Sequence, residues 1–331
     1  MPQPERERRA LPELTEETQM RLVSYVGPQD AGTAVLVGDR LIPVFDGFLS
    51  GLDLDPEVLG DLRRRAAALE GAVGISLDDV ELIAPIPAPG KIVCVGLNYR
   101  EHATEGGRPP PVRPLLFSKF ANAVIAEGEA IVRPEGSHAL DLEVELGVVI
   151  GTTAQRVSRA EALDHVAGYV VVNDVSARDW QGTPQALHEG EVGDGQWLRA
   201  KGSDTFLPMG PVLVTADEIP DPQTLRLRSW IIPGSGPDAG RPVLMQEGTT
   251  ADMIFTVAAL IEHISKAITL EPGDIIATGT PAGVGVFRDP PVFLQPGDRV
   301  RCEIDGIGTV ENPVIDWTDV DDESVVADEV D

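Results

Sequence analysis

Residues 142–151, LEVELGVVIG, and residues 168–176, GYVVVNDVS, carry the reading that decides the fold. Both are apolar runs of strand length bounded by turn residues. Similar runs recur on either side: KIVCVGL at 91–97, GPVLVTA at 210–216, TLRLRSWII at 224–232, DIIATGT at 274–280 and RVRCEIDGIG at 299–308. Helical patterns interrupt them twice, in a segment opening at Ser158 and across Ala251–Ala267. Many strands with few helices predict a mainly β, α+β chain built on a curled mixed β-sheet. A doubly wound sheet would need a helix between successive strands.

Working outward, RLVSYV, GTAVLVGDRLIPVFD and the charged helical stretch DPEVLGDLRRRAAALEGA form a small N-terminal α+β module. IAPIPAPGK, at 83–91, is a proline-stiffened connector and the best boundary. The expected organisation is a small N-terminal domain over 1–85 with a loose start, a catalytic domain over 86–318 and a solvated, disordered acidic tail over 319–331.

Composition narrows the partners. Acidic residues number 54 against 26 basic ones, a net charge of -28. That balance repels nucleic acid, which is held through cationic contacts to phosphates. It also fits a saline interior, where screening relieves self-repulsion. No apolar run approaches the ~18 residues of a membrane span, and the charged N-terminus lacks the apolar stretch of a signal peptide. Cys94 and Cys302 form no CxxC pair, so a reducing, cytoplasmic setting is expected. Lysine is scarce: Lys91, Lys119, Lys201 and Lys266 stand among many arginines. A retained lysine in such a chain offers a compact point charge that arginine cannot.

Strand alternation places Asp141, Glu143 and Glu145 on one face and Leu142, Val144 and Leu146 on the other. A solvated acidic edge strand would show the same pattern. Asp174, at the end of the next apolar strand, would meet the two glutamates if the strands adjoin; a turn or cap residue is the alternative. Carboxylates without a His or Cys cluster make a hard oxygen site, suited to Mg²⁺, Mn²⁺ or Ca²⁺ over Zn²⁺. Asp179 competes for the role, with local pairing to Arg178 as its structural alternative. In NYREHATE, at 98–105, a helix would place His102 and Glu105 on one side, where a carboxylate can orient an imidazole that takes a proton from water. Gly279–Gly285, GTPAGVG, lacks the GK[ST] of a phosphate loop. It reads as a tight loop offering N–H groups and the Thr280 hydroxyl to a carboxylate, or as a plain turn.

Taken together, GLNYREHATE, PLLFSKFANAVI, DLEVELGVVIG, NDVSARDWQ, GQWLRAKGSDTFLPMGP, ADMIFTVAALI, LEPGDIIATGTPAGVG and LQPGDRVRCEIDGIG resemble the fumarylacetoacetate hydrolase family, in its order, from about Ile86 to Asn312. The resemblance implies a mixed-β catalytic fold and a homodimer. It makes Glu143, Glu145 and Asp174 ligands of Mg²⁺ or Mn²⁺ and sets Lys201 beside them as a catalytic cation, with Gln181 nearby. It makes His102 and Glu105 the water-activating dyad and Thr280 a substrate-carboxylate contact, with Lys119 supporting the substrate site from a neighbouring strand.

The implied activity is hydrolysis of a C–C bond in a small 2-oxo or β-diketo acid of acylpyruvate type, through an enolate that the metal stabilises. The alternatives are an oxaloacetate-type decarboxylase or a 2-hydroxyhepta-2,4-diene-1,7-dioate isomerase-like enzyme on the same site. More remote is a non-catalytic metal- or carboxylate-binding protein. Two segments, 182–195 and 233–242, look longer than in relatives. His188, in the first, is either a substrate contact or a solvated loop residue.

Overall fold

The computed structural model describes residues 19–50, 52–69 and 74–320. The expected loose start, apart from Gln19 and Met20, and the expected acidic tail beyond Val320 lie outside the described residues. The chain is mainly β, in mixed sheets. The larger sheet has eleven strands, and at its centre the strand Val144–Ile150 lies between Val166–Asn173 and Ile275–Ala277, antiparallel to both. Every residue of Val144–Ile150 and Val166–Asn173 is buried. That is why both read as nearly continuous apolar runs rather than alternating ones.

The pairing directions bring several strand ends to one side. Val144 pairs with Asn173, so Glu143 and Asp174 become neighbours, and Asp174 N donates to Glu143 O at 2.9 Å. Ile275–Ala277 runs against Val144–Ile150 and delivers Gly279 and Thr280 to the same end. Ile92–Gly96 runs parallel to Ile275–Ala277 and releases the chain there too, into the helix Arg100–Glu105. A five-stranded sheet, ordered Val243–Thr249, Arg226–Ile232, Arg299–Ile304, Gly308–Asp316 and Ile131–Arg133, shares the same core. The N-terminal strand Arg21–Val26 pairs with Leu213–Thr215, so the N-terminal strands continue the larger sheet. The expected N-terminal helix is present as Pro56–Ala68, capped by Asp55, whose side chain accepts the Val58 N–H.

The helical expectations need correction. The segment at Ser158 forms only a 3₁₀ turn, Ala162–His165. The His165 carbonyl accepts from Gly151 N at 2.8 Å, and Val166 enters the central strand. The second helix is shorter than expected, Val257–Ser265, and opens on a Thr256 cap. Short helices absent from the pattern, Arg178–Gln181 and Trp197–Gly202, carry site residues. Both cysteines are buried free thiols. No helix is long and apolar enough to cross a membrane among the described residues.

Candidate active site

Glu143, Glu145 and Asp174 are all buried, and each offers a carboxylate oxygen within 4.8 Å of the others. Asp141 does not join them. Strand pairing lapses between Leu140–Asp141 and Val144–Ile150, and Asp141 turns aside to accept the Gly285 and Val286 N–H groups at 2.7 and 3.0 Å. The shared face predicted by simple alternation therefore fails at that residue.

Three buried cations answer the carboxylates. Lys201 Nζ donates to Glu143 Oε2 at 2.6 Å and Asp174 Oδ2 at 2.8 Å. Arg178 bridges Asp141 Oδ2 at 2.9 Å and Glu143 Oε1 at 2.5 Å. The local pairing of Arg178 with Asp179 is thus corrected: Asp179 instead accepts from Ser137 Oγ and the His138 and Trp180 N–H groups. Lys119 Nζ lies 2.7 Å from Asp174 Oδ1. Its N–H groups donate to the carbonyls of Val175, Lys201 and Phe206 at 2.9, 2.5 and 2.7 Å, so Asp174 Oδ1 remains a buried acceptor without a hydrogen bond.

The charges do not balance. Asp141, Glu143, Glu145 and Asp174 face Lys119, Lys201 and Arg178, and no ion pair reaches Glu145 among the described residues. Glu145 Oε2 accepts a single backbone donor, Gly279 N, at 2.8 Å. Burial, then Asp174 and Glu143, push its carboxyl well above the usual carboxylate range. Burial also opposes ionisation of Glu143, but Arg178 and Lys201 outweigh it and hold that carboxyl low. Desolvation works against the Lys201 ammonium too, yet Asp174 and Glu143 keep its pKa above the ordinary value. One unpaired buried carboxylate beside Glu143 and Asp174, with an Asp174 oxygen that accepts no hydrogen bond, fits a divalent cation bound by oxygen.

Opposite the carboxylates, His102 Nδ1 lies 2.7 Å from Glu105 Oε1, and Glu105 Oε2 accepts the Gly283 N–H at 2.9 Å. An ionised Glu105 can only accept, which places the ring proton on Nδ1 and leaves Nε2 as the acceptor. The two halves enclose a cavity of about 290 Å³ walled by His102, Glu143, Glu145, Gln181, Lys201 and Thr280, together with Arg108, Arg178 and the rings of Phe117, Trp197 and Phe287. Asp174 and Lys119 are not among its walls and support it from behind. Gln181 accepts from Arg178 Nη1 at 3.1 Å. The Thr280 hydroxyl donates to Val144 O at 2.9 Å and accepts from Gln246 Nε2 at 2.7 Å, so its one proton is already committed. His188 stands apart from the cavity, stacked on His138.

A family model described as fumarylacetoacetate (FAA) hydrolase C-terminal matches residues 91–315. The chain belongs to the fumarylacetoacetate hydrolase family. Among its relatives, the mitochondrial oxaloacetate tautomerase of Xenopus laevis is 45% identical over 241 residues, 73% of this chain and 70% of the relative. Among solved structures, 2-hydroxyhepta-2,4-diene-1,7-dioate isomerase from Mycobacterium marinum superposes with a TM-score of 0.66 at 34% identity, covering 90% of this chain and 99% of its own. A fumarylacetoacetate hydrolase from Exiguobacterium antarcticum gives a TM-score of 0.69 at 32% identity, with coverage of 90% and 99%.

Within this family frame, two residues matter that the sequence reading did not place in the site, Arg178 and Gln246, and a third, Asp141, takes a role other than the shared carboxylate face. Arg178 is hidden in SARD beside a nearer acidic neighbour, Asp179. Asp141 fixes the 283–286 loop. Gln246 joins the two sheets: it accepts Val144 N and Ser229 Oγ and donates to Thr280 Oγ1 and Pro281 O. No local motif marks Gln246, because its partners are spread along the chain.

Proposed function

We propose that the protein catalyses metal-assisted enolisation of a small 2-oxo dicarboxylic acid, keto–enol tautomerisation of an oxaloacetate-like substrate being the leading reaction. The observation that carries this reading is a single cavity with a proton acceptor, His102 Nε2, on one wall and a carboxylate cluster with a fixed ammonium on the other. Relatives named as an oxaloacetate tautomerase and a dienedioate isomerase support it, since both names describe proton relocation without hydrolysis.

Glu143, Glu145 and Asp174 would hold Mg²⁺ or Mn²⁺, which when bound supplies Lewis-acid polarisation of the 2-oxo acid. His102 takes the proton from the carbon next to the keto group, and the C–H electron pair becomes the C=C bond. The carbonyl pair moves to oxygen, beside the Lys201 ammonium. His102 then returns its proton to that oxygen, giving the neutral enol. Glu105 stabilises the imidazolium between the two transfers. Lys201, kept cationic by Glu143 and Asp174, acts as a charge and not as a base. Exposed Arg108, on the cavity wall, offers a partner for the substrate's second carboxylate.

Hydrolysis of an acylpyruvate is the second reading, favoured by the intact dyad, which would direct a water instead of a carbon-bound proton. A panel decides between them: oxaloacetate tautomerisation followed by ultraviolet absorbance, oxaloacetate decarboxylation and acylpyruvate cleavage, each with Mg²⁺ and with EDTA. Tautomerisation should dominate and vanish with EDTA. Acylpyruvate cleavage as the fastest reaction, or full tautomerase activity in metal-free protein, would overturn the proposal.

A further inference from the structure

A second group of ligating side chains forms where the 182–195 segment folds against the loop that follows Ile131–Arg133. His138, His188 and Glu191 each offer a ligand atom within 4.8 Å of the others. The two imidazole rings stack at 4.0 Å between centroids, with planes 21° apart. His138 Nε2 lies 3.0 Å from the Ala186 carbonyl oxygen and 3.7 Å from Glu191 Oε2. Its other nitrogen, Nδ1, faces Asp179 Oδ2 at 3.3 Å.

Asp179 is a buried carboxylate locked by Ser137 Oγ and by the N–H groups of His138 and Trp180. A carboxylate behind one ring nitrogen, with oxygen ligands gathered before the other, is how proteins orient metal-binding histidines. Without a metal, an Nε2–H that donates to the Ala186 carbonyl satisfies that nitrogen. With the proton moved to Nδ1, against Asp179, Nε2 turns its lone pair toward the Ala186 carbonyl and Glu191, where a cation takes the proton's place.

The geometry points to a transition-metal site at His138, His188 and Glu191, completed when the exposed His188 ring turns off its stack on His138 so that both in-plane lone pairs meet one ion. Two imidazoles and one carboxylate suit Zn²⁺ or Co²⁺ and not Mg²⁺, which prefers all-oxygen ligands. The His138 and Glu191 side chains are about a third exposed, 32% and 35%, so an ion can enter from solvent. A bound cation would tie the 182–195 segment, whose first residues, 182–185, wall the active-site cavity beside Gln181, to the loop whose Ala139 carbonyl accepts the Arg178 N–H. Its occupancy would therefore tune the KM of the main site without supplying its chemistry.

The test uses the full chain saturated with Mg²⁺, so that the carboxylate cluster is occupied, and titrates Co²⁺ while following its visible d–d absorption. One Co²⁺ per chain with a nitrogen-ligated spectrum is expected, displaced by Zn²⁺. Affinity should fall at least about tenfold in His188→Ala and Glu191→Gln, with Mg²⁺-supported turnover unchanged when transition metals are absent. No nitrogen-ligated spectrum, or Co²⁺ affinity unchanged in His188→Ala, would overturn the site and leave a protonated, stacked histidine pair. Mg²⁺-dependent turnover is read separately, so failure here is distinguishable from failure of the proposed reaction.

Discussion

Glu105 is held by Gly283: the Gly283 N–H donates to Glu105 Oε2 at 2.9 Å while the other carboxylate oxygen meets His102. Gly283 has φ +106°, and a Cβ there would come within 2.3 Å of Met245 O. The loop can reach Glu105 only because this residue has no side chain. Gly283→Ala should strain the loop by about 1–3 kcal/mol and release Glu105. We expect kcat to fall more than Mg²⁺ affinity, measured by steady-state kinetics and calorimetry. An unchanged kcat would separate the loop from the dyad.

The dyad itself gives a graded expectation. His102→Ala should lower kcat by about 10²–10⁴-fold and leave Mg²⁺ binding nearly intact, because His102 is not in the carboxylate cluster. Glu105→Gln should cost less, since it keeps a hydrogen-bonding partner but loses the charge. Near-wild-type tautomerisation by His102→Ala would remove it from the mechanism.

Glu145 links the metal to stability. Its carboxyl titrates well above the usual range because of burial and then its neighbours Asp174 and Glu143. A raised carboxyl favours the fold while protonated, and that contribution is lost as pH rises through the raised value. Metal-free protein should therefore lose thermal stability with rising pH. Mg²⁺, which binds the ionised form, should restore more of it the higher the pH. Glu145→Gln should flatten both dependences in scanning calorimetry. A Mg²⁺-induced rise in Tm that does not vary with pH would refute the link.

The net charge of -28 leads to a salt expectation. Screening of carboxylate repulsion should raise Tm as KCl increases well beyond ~0.15 M. A flat or falling Tm up to molar salt would show that the acidity has another cause.

Much of this was legible from residue order, for physical reasons. Glu143 and Glu145 stand two apart at the head of an apolar strand, and Asp174 ends the next one, so pairing of adjacent strands was enough to join them. His102 and Glu105 needed only a helical turn. The rest depended on burial that local spacing does not encode. Arg178 passes over its sequence neighbour Asp179, which is equally buried, and pairs with Asp141 and Glu143, which the fold brings beside it and whose charges would be costly unpaired. Thr280 was expected to offer its hydroxyl to substrate, yet Gln246, remote in sequence, fixes that hydroxyl on Val144 O. The helix expected at Ser158 lost to sheet pairing at His165 and Val166, a contest in which tertiary contacts outweigh local propensity.

The carboxylate cluster and the proton acceptor rest on separate supports. Glu143, Glu145 and Asp174 sit at the adjoining ends of two fully buried strands, Val144–Ile150 and Val166–Asn173, whereas His102 rides on a helix of six residues, Arg100–Glu105. Replacing that short element would leave the electrostatic floor of the cavity standing. Relatives named as a tautomerase, an isomerase and a hydrolase share this scaffold, and a rim separable from the floor gives such proteins a place where reaction type can change.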